Sequence, residues 1–567
     1  MKLNKAPPWH DAYPPELDWQ LEAVDAPVYR ILEDSADAYP QRPCLDFLGS
    51  KFSYAEVLDL VNRFAAGLQQ LGVKKTDRIG LCLPNSPYYV IAYIAALKAG
   101  AVVVNFNILY TAREIEQQVN DSGISMMVTL DLKFIFNKVY PCLEKGILDS
   151  IIFCPLADVL PPTKRTLLKI FKFFQFVHPD ESAKLHSYET LIGFGEKPEP
   201  VPVEPDKDLA LFQYTGGTTG IPKAAMLTHS NVLSNTEQVN LWLQQGEKLS
   251  GQEKFLAVLP FFHVFSMTVS MNLALRSGAE IYMLPRFELK QCLDLIDDAG
   301  ITIFPGVPAI FNAINNYARR DHYRLDSLRY GICGGAALPL EVKRSFEENS
   351  HCVLIEGYGL SEASPVVTCN PAHNGGRPGS IGLPLPGTEV SFRQIEDINL
   401  LQDEGKVGQF LVRGPQVMQG YWNRAEESAA TLLADGWLCT GDLGYMDAEG
   451  YVYLTDRLKD IIITNGYNVY PRVIEDAFYR HPDIAEVIAI GIPDAQKGEA
   501  PKVFVKAKPG KDLDIDELFS FAEDQLNPIE MPDSIEIRQE LPKTLIGKPS
   551  KKALLEEEAR KRNMTEE

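Results

Sequence analysis

Strand-like and helix-like segments alternate along the chain before residue 131. The apolar runs Arg78 to Leu83, Ala101 to Phe106 and Ser125 to Leu130 are typical of buried strands. Between them, Ser86 to Ala99 and Thr111 to Val119 are predicted to be helices, and the second helix opens with a capping box. This order predicts a parallel sheet covered by helices, and hence an α/β fold. Ligands of such sheets bind beyond the carboxyl ends of the strands.

The length and the charge of the chain limit its organisation and its ligands. Because 567 residues exceed a single ordinary core, we expect at least two domains. The formal net charge of −21 argues against a nucleic-acid partner, since most of the surface would repel a phosphate backbone. Any anionic ligand must therefore be held by local positive charge.

The cysteines and the apolar segments bear on the compartment. The nine cysteines are odd in number and include no C-x-x-C pair, which favours a reducing compartment over a disulfide framework or a zinc site. Residues 1–15 lack the apolar core of a signal peptide. The longest apolar stretch, Tyr89 to Val104, is interrupted by Lys98 and Gly100. It fits a buried helix followed by a strand, because a membrane span needs about 20 residues.

A loop rich in glycine and threonine follows the apolar run Leu209 to Phe212, which is predicted to be a strand. Glycine amides that close around phosphate oxygens, threonine hydroxyls and a lysine together suit a polyphosphate. The loop is not a Walker A motif, because the G-x-x-x-x-G-K spacing is absent and Pro222 precedes the lysine. A flexible surface loop would have the same composition, so the loop alone leaves both interpretations open. The candidate phosphate ligands are Thr215, Gly216, Gly217, Thr218, Thr219, Gly220 and Lys223.

This stretch, LALFQYTGGTTGIPKAAMLTH, resembles the phosphate-binding signature of the adenylate-forming superfamily of acyl-CoA synthetases, peptide-synthetase adenylation domains and luciferases. The similarity extends from about Phe52 to Lys548, with several motifs in the expected order. Gly216, the stretch Asn107 to Gly123 and the hinge segment DRLKD look most like the long-chain fatty acid–CoA ligases. The resemblance implies that ATP, with Mg²⁺, activates a fatty acid to acyl-AMP and that the acyl group then passes to CoA.

The resemblance also implies a nucleotide site that is assembled from distant motifs. Asp442 would accept hydrogen bonds from both ribose hydroxyls and Arg457 would reach ribose and α-phosphate, although in isolation both also fit solvated turn charges. Glu362 would hold Mg²⁺ between phosphates, because a hard cation prefers carboxylate and phosphate oxygens. Ser361 stands where the family more often has threonine, and its hydroxyl keeps the phosphate contact. The residues implied to surround adenine are Gly335, Ala336, Glu356, Gly357 and Tyr358.

Two apolar segments are candidates for the acyl site. The run Phe255 to Met267 contains His263, which on spacing alone fits a core histidine. The resemblance implies that this histidine lines the place where the acyl carboxylate meets the α-phosphate. Ile301 to Ile310 is predicted to be a strand that runs into a helix, and it fits either the border of an acyl tunnel or ordinary core packing. The preference for a long chain is implied by the resemblance alone.

The resemblance divides the chain into three parts. A large N-terminal domain, residues 1–456, would bind AMP and the acyl group and would contain parallel-sheet α/β subdomains and a β-barrel-like part. A hinge, residues 457–459, would let a small α+β domain, residues 460–567, rotate about Lys459. Lys548 would reach the carboxylate and the α-phosphate during adenylation, although by composition it is another exposed basic residue. Gly466 would let the pantetheine arm of CoA pass.

A basic and aromatic stretch, Pro155 to His178, interrupts the pattern of the large domain. It fits a segment on an anionic membrane surface and equally an amphipathic helix that packs on its own domain. The expected location is therefore the cytoplasm, with or without peripheral contact with the inner face of a membrane. The expected partners are fatty acid, ATP and CoA, with a homodimer as a further option and no nucleic acid.

Three other functions fit parts of the pattern. An acyl-AMP ligase would deliver the same intermediate to a carrier protein. A non-catalytic sensor of fatty acid or nucleotide would be expected to lose Lys548, Glu362 or Asp442, and all three are present. An amino-acid-activating domain would need an acidic residue in the acyl pocket to hold the amine, and the sequence offers no clear candidate.

Overall fold

The computed structural model describes residues 7–14, 17–171, 175–215, 222–244, 252–372, 376–395, 397–465, 467–494, 496–543 and 550–566. The strands are β1 (Pro43–Phe47), β2 (Ser50–Ser53), β3 (Arg78–Cys82), β4 (Val102–Asn105), β5 (Met126–Leu130), β6 (Ser150–Cys154), β7 (Leu185–Ser187), β8 (Leu209–Thr215), β9 (Lys223–Thr228), β10 (Lys254–Ala257), β11 (Glu280–Met283), β12 (Ile303–Gly306), β13 (Tyr330–Cys333), β14 (Val353–Gly359), β15 (Val366–Cys369), β16 (Leu383–Pro384), β17 (Glu389–Arg393), β18 (Gly408–Arg413), β19 (Leu438–Met446), β20 (Val452–Arg457), β21 (Ile462–Thr464), β22 (Tyr467–Val469), β23 (Ile484–Asp494), β24 (Gly498–Ala507) and β25 (Ser534–Ile537).

The α-helices are α1 (Arg30–Ala38), α2 (Tyr54–Gln70), α3 (Pro87–Lys98), α4 (Ala112–Ser122), α5 (Lys133–Glu144), α6 (Pro162–Phe171), α7 (Tyr188–Gly193), α8 (His229–Leu243), α9 (Val264–Ser266), α10 (Leu273–Ser277), α11 (Leu289–Leu295), α12 (Pro308–Asn315), α13 (Leu340–Ser350), α14 (Ala425–Thr431), α15 (Pro471–Tyr479), α16 (Ile515–Glu523) and α17 (Lys551–Glu566). A π-helical stretch, Met267–Asn272, joins α9 to α10.

The predicted strand–helix alternation forms a seven-stranded sheet with the order β7-β6-β5-β3-β4-β8-β9. Neighbouring strands are parallel except for β8 and β9, which are antiparallel. The capping box that the sequence predicts is present, because the Thr111 hydroxyl accepts from the Glu114 amide while the Glu114 carboxylate accepts from the Thr111 amide. These local signals therefore confirm the α/β prediction for this part of the chain.

A second sheet of nine strands has the order β16-β15-β14-β13-β12-β10-β11-β1-β2. Its centre is parallel, and the outer pairs β14·β15, β15·β16 and β1·β2 are antiparallel. Helix α3 is buried from Pro87 to Leu97, which explains the long apolar stretch in the sequence. Within the described ranges, no helix has the length and apolar character that a membrane crossing requires.

The remaining strands form two antiparallel or mixed sheets. Strands β17 to β20 form an open four-stranded antiparallel sheet. Strands β21 to β25 form a five-stranded sheet with its own core of buried residues from Ile462 to Ile535. The fold is thus a large parallel-sheet α/β unit followed by a small α+β unit, in agreement with the predicted fold class.

Candidate active site

Strands β8 and β9 fix both ends of the glycine- and threonine-rich loop. Thr215 ends β8 and Lys223 begins β9, and the two residues are paired across the antiparallel ladder. The Thr215 hydroxyl donates to the Lys223 carbonyl oxygen at 3.4 Å. The other predicted phosphate ligands, Gly216, Gly217, Thr218, Thr219 and Gly220, lie outside the described residues.

Lys223 has one acidic and one aromatic neighbour. Its Nζ lies 3.9 Å from the carboxylate of Glu427 and 5.5 Å from the ring centroid of Tyr421. The side chain is half-buried. In a strongly acidic protein, a partly buried ammonium group at the base of such a loop supplies the local positive charge that an anionic ligand requires.

Glu362 lies in a short 3-10 turn, Ser361–Ala363, that rests against β8 and β9. The Tyr421 hydroxyl donates to Glu362 Oε1 at 2.7 Å, and the Met418 amide donates to the Glu362 carbonyl oxygen at 2.9 Å. Ser361 is half-buried beside it. The described residues contain no group of three or more histidine, cysteine or acidic side chains around one metal position. A single carboxylate fits Mg²⁺, which binds through one or two carboxylates together with substrate phosphates and waters.

Asp442, Arg457 and Tyr358 form a second cluster. Asp442 and Arg457 are paired across β19 and β20, and Arg457 Nε lies 3.1 Å from Asp442 Oδ1. The Tyr358 hydroxyl donates to Asp442 Oδ2. Burial raises the pKa of Asp442, while Arg457 and the Tyr358 hydrogen bond lower it. Asp442 is the main cause that raises the pKa of the Arg457 guanidinium, and Glu362 is a minor one.

The residues implied to surround adenine lie on the loop after β13 and at the end of β14. Gly335 has a left-handed φ of +83°, which favours glycine, and it is exposed next to the half-buried Ala336. Glu356 is 6% exposed and accepts a hydrogen bond from the Leu338 amide at 3.0 Å. Burial raises the pKa of Glu356 to about 7. The Glu356 side chain therefore holds the loop after β13 in place. Its neighbour Gly357 is half-buried.

His263 immediately precedes α9 and is half-buried, and its carbonyl oxygen accepts from the Met267 amide. The preceding residue is held by a buried amide network. Gln213 Nε2 donates to the Phe262 carbonyl oxygen at 3.1 Å, and Asn105 Nδ2 donates to Gln213 Oε1 at 3.2 Å. This network fixes the turn of His263 relative to β8. Sequence reasoning missed it, and its only signal was two amide side chains in otherwise apolar strands.

The remaining candidate residues belong to the hinge and to the small unit. Lys459 is exposed in a 3-10 turn, Leu458–Asp460, while Gly466 and Lys548 lie outside the described residues. The Asn465 amide beside Gly466 donates to the Lys497 carbonyl oxygen at 2.8 Å. A cavity of about 280 Å³ adjoins this turn, lined by Thr464, Asn465, Lys497, Pro501, Pro528, Ile529, Met531 and Asp533.

The described residues on the two sides of Lys548 are hydrogen-bonded to each other. The Ser550 amide donates to the Pro542 carbonyl oxygen at 2.9 Å, and Lys551 Nζ lies 3.3 Å from Glu475 and 3.9 Å from Asp456. Asp456, which directly precedes Arg457, also accepts from the Arg472 amide at 2.8 Å. Asp456, next to the hinge, and Lys551, which follows the segment of Lys548, are thus within 3.9 Å of each other.

Comparison with known proteins adds to this geometry. A family model described as AMP-binding enzyme matches residues 32–422, and a model of the AMP-binding enzyme C-terminal domain matches residues 473–548. The chain is 42% identical over 561 residues to a long-chain-fatty-acid–CoA ligase of Bacillus subtilis (strain 168), covering 98% of this chain and 99% of that protein. It is 36% identical over 566 residues to a ligase of the same name from Escherichia coli O157:H7, covering 97% and 98%.

A solved structure is also similar. The crystal structure of ATP-bound MatB from Rhodopseudomonas palustris matches with a TM-score of 0.83 and 26% identity, covering 94% of this chain and 99% of that chain. The segments matched by the two family models include β8, β9, the turn of Glu362 and the part of the small C-terminal unit from residue 473 to residue 548. From its sequence and its fold, this chain belongs to the AMP-binding enzyme family.

Proposed function

We propose that this protein is a long-chain fatty acid–CoA ligase. It activates a fatty acid with ATP to acyl-AMP and pyrophosphate, and it then transfers the acyl group to CoA with release of AMP. The observation that carries this proposal is the 42% identity to a long-chain-fatty-acid–CoA ligase over 98% of the chain. The clusters around Glu362 and Asp442 support it, because they offer separate partners for phosphates and for ribose.

ATP binds with its phosphates at the β8–β9 loop and its nucleoside at the second cluster. Thr215, Lys223 and the five loop residues between 216 and 220 receive the phosphates, with Ser361 nearby. Asp442 accepts from the ribose hydroxyls, since a carboxylate accepts two donors at once. Tyr358 stacks on adenine. Tyr358 also hydrogen-bonds Asp442, so its ring is held in place before the nucleotide arrives.

In the first half-reaction a carboxylate oxygen of the fatty acid attacks the α-phosphorus. The bond between the α-phosphorus and the bridging oxygen breaks, and pyrophosphate leaves. A general base is unnecessary, because the carboxylic acid is already ionised at neutral pH. Lys548 and the loop donors stabilise the charge that spreads over the transferred group. Glu362 would hold Mg²⁺ beside the phosphates, and the ion would supply charge neutralisation there.

In the second half-reaction the CoA thiol attacks the acyl carbon and AMP leaves. The two half-reactions use different faces of the small domain. This arrangement needs three parts, which are the large domain (residues 1–456), the hinge (residues 457–459) and the mobile domain (residues 460–567). The small domain rotates about Lys459, which withdraws Lys548 and brings Gly466 to the path of pantetheine. The cavity beside Thr464 and Asn465 supports this assignment, because it offers concave space next to that path.

The acyl chain is bound by apolar walls near His263. Strand β12 leads into α12, and Val307, Ile310 and Phe311 are buried there. Each methylene moved from water to an apolar site contributes about 0.8 kcal/mol, so a chain of a dozen carbons gains on the order of 10 kcal/mol before ordering costs. A dry pocket can therefore select long chains without polar recognition.

Peripheral contact with a membrane is a separate part of the proposal. Helix α6 carries Leu167 with 55% of its surface exposed, next to basic residues. Two of these, Lys164 and Arg165, contact Leu48 O and Asp158, so the helix is also fastened to its own domain. Sedimentation with anionic vesicles tests the contact, with Leu167→Ser as the weakened variant. The homodimer stays a prediction that light scattering tests.

The experiment that tests the reaction is an assay with ATP, Mg²⁺, CoA and saturated fatty acids of increasing length. We expect acyl-CoA, AMP and pyrophosphate in equal amounts, with the highest kcat/KM for long chains. Formation of acyl-AMP without acyl-CoA would instead indicate a ligase that serves a carrier protein. Absence of pyrophosphate release with every acid would contradict the enzymatic proposal and favour a sensor.

A further inference from the structure

A segment that the site predictions left unused contacts both β9 and the turn of Glu362. Residues 418–422 run along the outer edge of β9, and main-chain hydrogen bonds of 2.9 Å join Gln419 to Met226, Met226 to Gly420 and Trp422 to Ala224. The Met418 amide donates to the Glu362 carbonyl oxygen, also at 2.9 Å. The main chain around Tyr421 is therefore fastened both to the strand that leaves the loop and to the turn of Glu362.

The hydroxyl and the aromatic ring of Tyr421 each contact a charged residue. Its hydroxyl donates to Glu362 Oε1 at 2.7 Å, and its ring centroid lies 5.5 Å from Lys223 Nζ. The residue is only 9% exposed. A phenol is protonated at neutral pH, so the hydroxyl acts as a hydrogen-bond donor to Glu362.

We propose that Tyr421 is a positioning residue for the divalent cation and the phosphates of ATP. Its hydroxyl occupies Oε1 of Glu362 and leaves Oε2 for the cation, while its ring restricts the position of the Lys223 ammonium group. This inference rests on the proposed function, since it assigns Glu362 and Lys223 to Mg·ATP. The geometry that carries it is one buried side chain in contact with both groups.

The expected size of the effect follows from how such partners act on metal sites. A hydrogen bond to a ligating carboxylate restricts its rotamers, and loss of such a partner typically weakens metal affinity by roughly 10–100-fold. A cation over an aromatic face gains a smaller amount, which grows when the pair is removed from water. The hydroxyl and the ring of Tyr421 are therefore expected to have separable effects.

The variant Tyr421→Phe removes the hydroxyl and keeps the ring. We expect Mn²⁺ binding, measured by electron paramagnetic resonance with a saturating non-hydrolysable ATP analogue, to weaken by about 10-fold or more. In turnover, the Mg²⁺ concentration for half-maximal rate rises, while kcat at saturating Mg²⁺ is largely retained. Tyr421→Leu also removes the ring, so it additionally raises the KM for ATP at saturating Mg²⁺.

A matched control is Tyr453→Phe, which removes a phenol that donates to Asp447 at 3.3 Å, outside the proposed site. Its Mn²⁺ affinity is expected to equal that of the wild type. In a Glu362→Gln background, Tyr421→Phe is expected to have little further effect on Mn²⁺ binding, because the two residues act as a unit. A purely structural role for Tyr421 would instead lower the melting temperature and leave the Mn²⁺ affinity of the folded protein unchanged.

The outcomes separate this inference from the function it rests on. If the wild type forms acyl-CoA and Tyr421→Phe binds Mn²⁺ as the wild type does, the inference is overturned and the ligase proposal stands. If the wild type binds Mn²⁺ with the analogue, and Tyr421→Phe weakens that binding but has little further effect in the Glu362→Gln background, the inference holds even when no acyl-CoA is formed with any acid. Additive losses in the double variant would also overturn it.

Discussion

The phenol of Tyr358 donates its hydrogen to the carboxylate of Asp442, although 84 positions separate the two residues in the chain. The carboxylate is 6% exposed and is flanked on its other oxygen by Arg457. The proposed ribose acceptor is therefore held between a neutral donor and a cation. The pKa of Asp442 therefore depends on both partners.

Tyr358→Phe is expected to move the acidic limb of kcat/KM for ATP to higher pH. Burial raises the pKa of Asp442, and the Tyr358 hydrogen bond is one of the contacts that lower it. Loss of the hydroxyl therefore raises this pKa further, and the ionised acceptor is lost at a higher pH as the solution is acidified. The pH profile of kcat/KM measures the shift. The control is Tyr445→Phe, which lies on β19, the strand that carries Asp442. An unchanged limb would show that Asp442 does not set it.

Lys548→Ala is expected to slow acyl-AMP formation by at least ~100-fold, as loss of a transition-state electrostatic group does. Thioester formation from supplied acyl-AMP should be retained, because the proposed role of the lysine is confined to the first half-reaction. Single-turnover assays of the two steps measure this separately. Lys552→Ala, at an exposed lysine four positions away, is the control. Equal losses in both steps would refute the step-specific role.

Glu356→Gln is expected to flatten the pH dependence of stability between about pH 5 and pH 8. The folded-state pKa of Glu356 is about 7, above its ordinary value, so the folded state binds more protons than the unfolded state in this range. The contribution of Glu356 is thus favourable at low pH and is lost as the pH rises, by up to about 3 kcal/mol. Glutamine keeps an acceptor for the Leu338 amide and cannot ionise.

Calorimetric melting of both proteins across this range checks the effect. Two other carboxyls, the buried Asp131 and the half-buried Glu475, have a raised pKa of about 6 and are unchanged in the variant. The difference between the two curves therefore isolates Glu356. Parallel curves would mean that its carboxyl does not titrate differently in the folded state.

Gln213→Leu is expected to lower the free energy of unfolding by about 1–3 kcal/mol and to slow acyl-AMP formation. The substitution leaves Asn105 and the Phe262 carbonyl oxygen without this partner in a buried site, which carries the desolvation cost of the unpaired groups. It also loosens the turn that carries His263. Denaturant titration and the adenylation rate measure the two effects. Gln70→Leu, at an exposed position at the end of α2, should change stability by less than about 0.5 kcal/mol.

Sequence reasoning succeeded where the signal is local. The burial of α3 follows from its apolar composition, and the capping box of Thr111 and Glu114 spans only four residues. The antiparallel pairing of Thr215 with Lys223 could not be read from the loop, because it depends on how β9 returns along β8. The roles of individual site residues stay predictions.

The contacts that sequence reasoning missed join residues far apart in the chain. Gln213 and Asn105 are 108 positions apart, and Tyr421 and Glu362 are 59 apart. A lone tyrosine or glutamine in an apolar context has no local pattern that names its partner. Only the packing of β4, β8 and the turn of Glu362 brings these side chains together.

The position of residues 418–422 along β9 has a consequence for solubility. Strand β9 ends the order of the seven-stranded sheet, and its outer main-chain groups bond to Gly420, Gln419 and Trp422. An uncovered strand of this kind is a template for pairing between molecules. The segment that carries Tyr421 thus also covers the outer edge of β9. Substitutions that detach this segment are expected to cause aggregation, which would prevent their effect on catalysis from being measured.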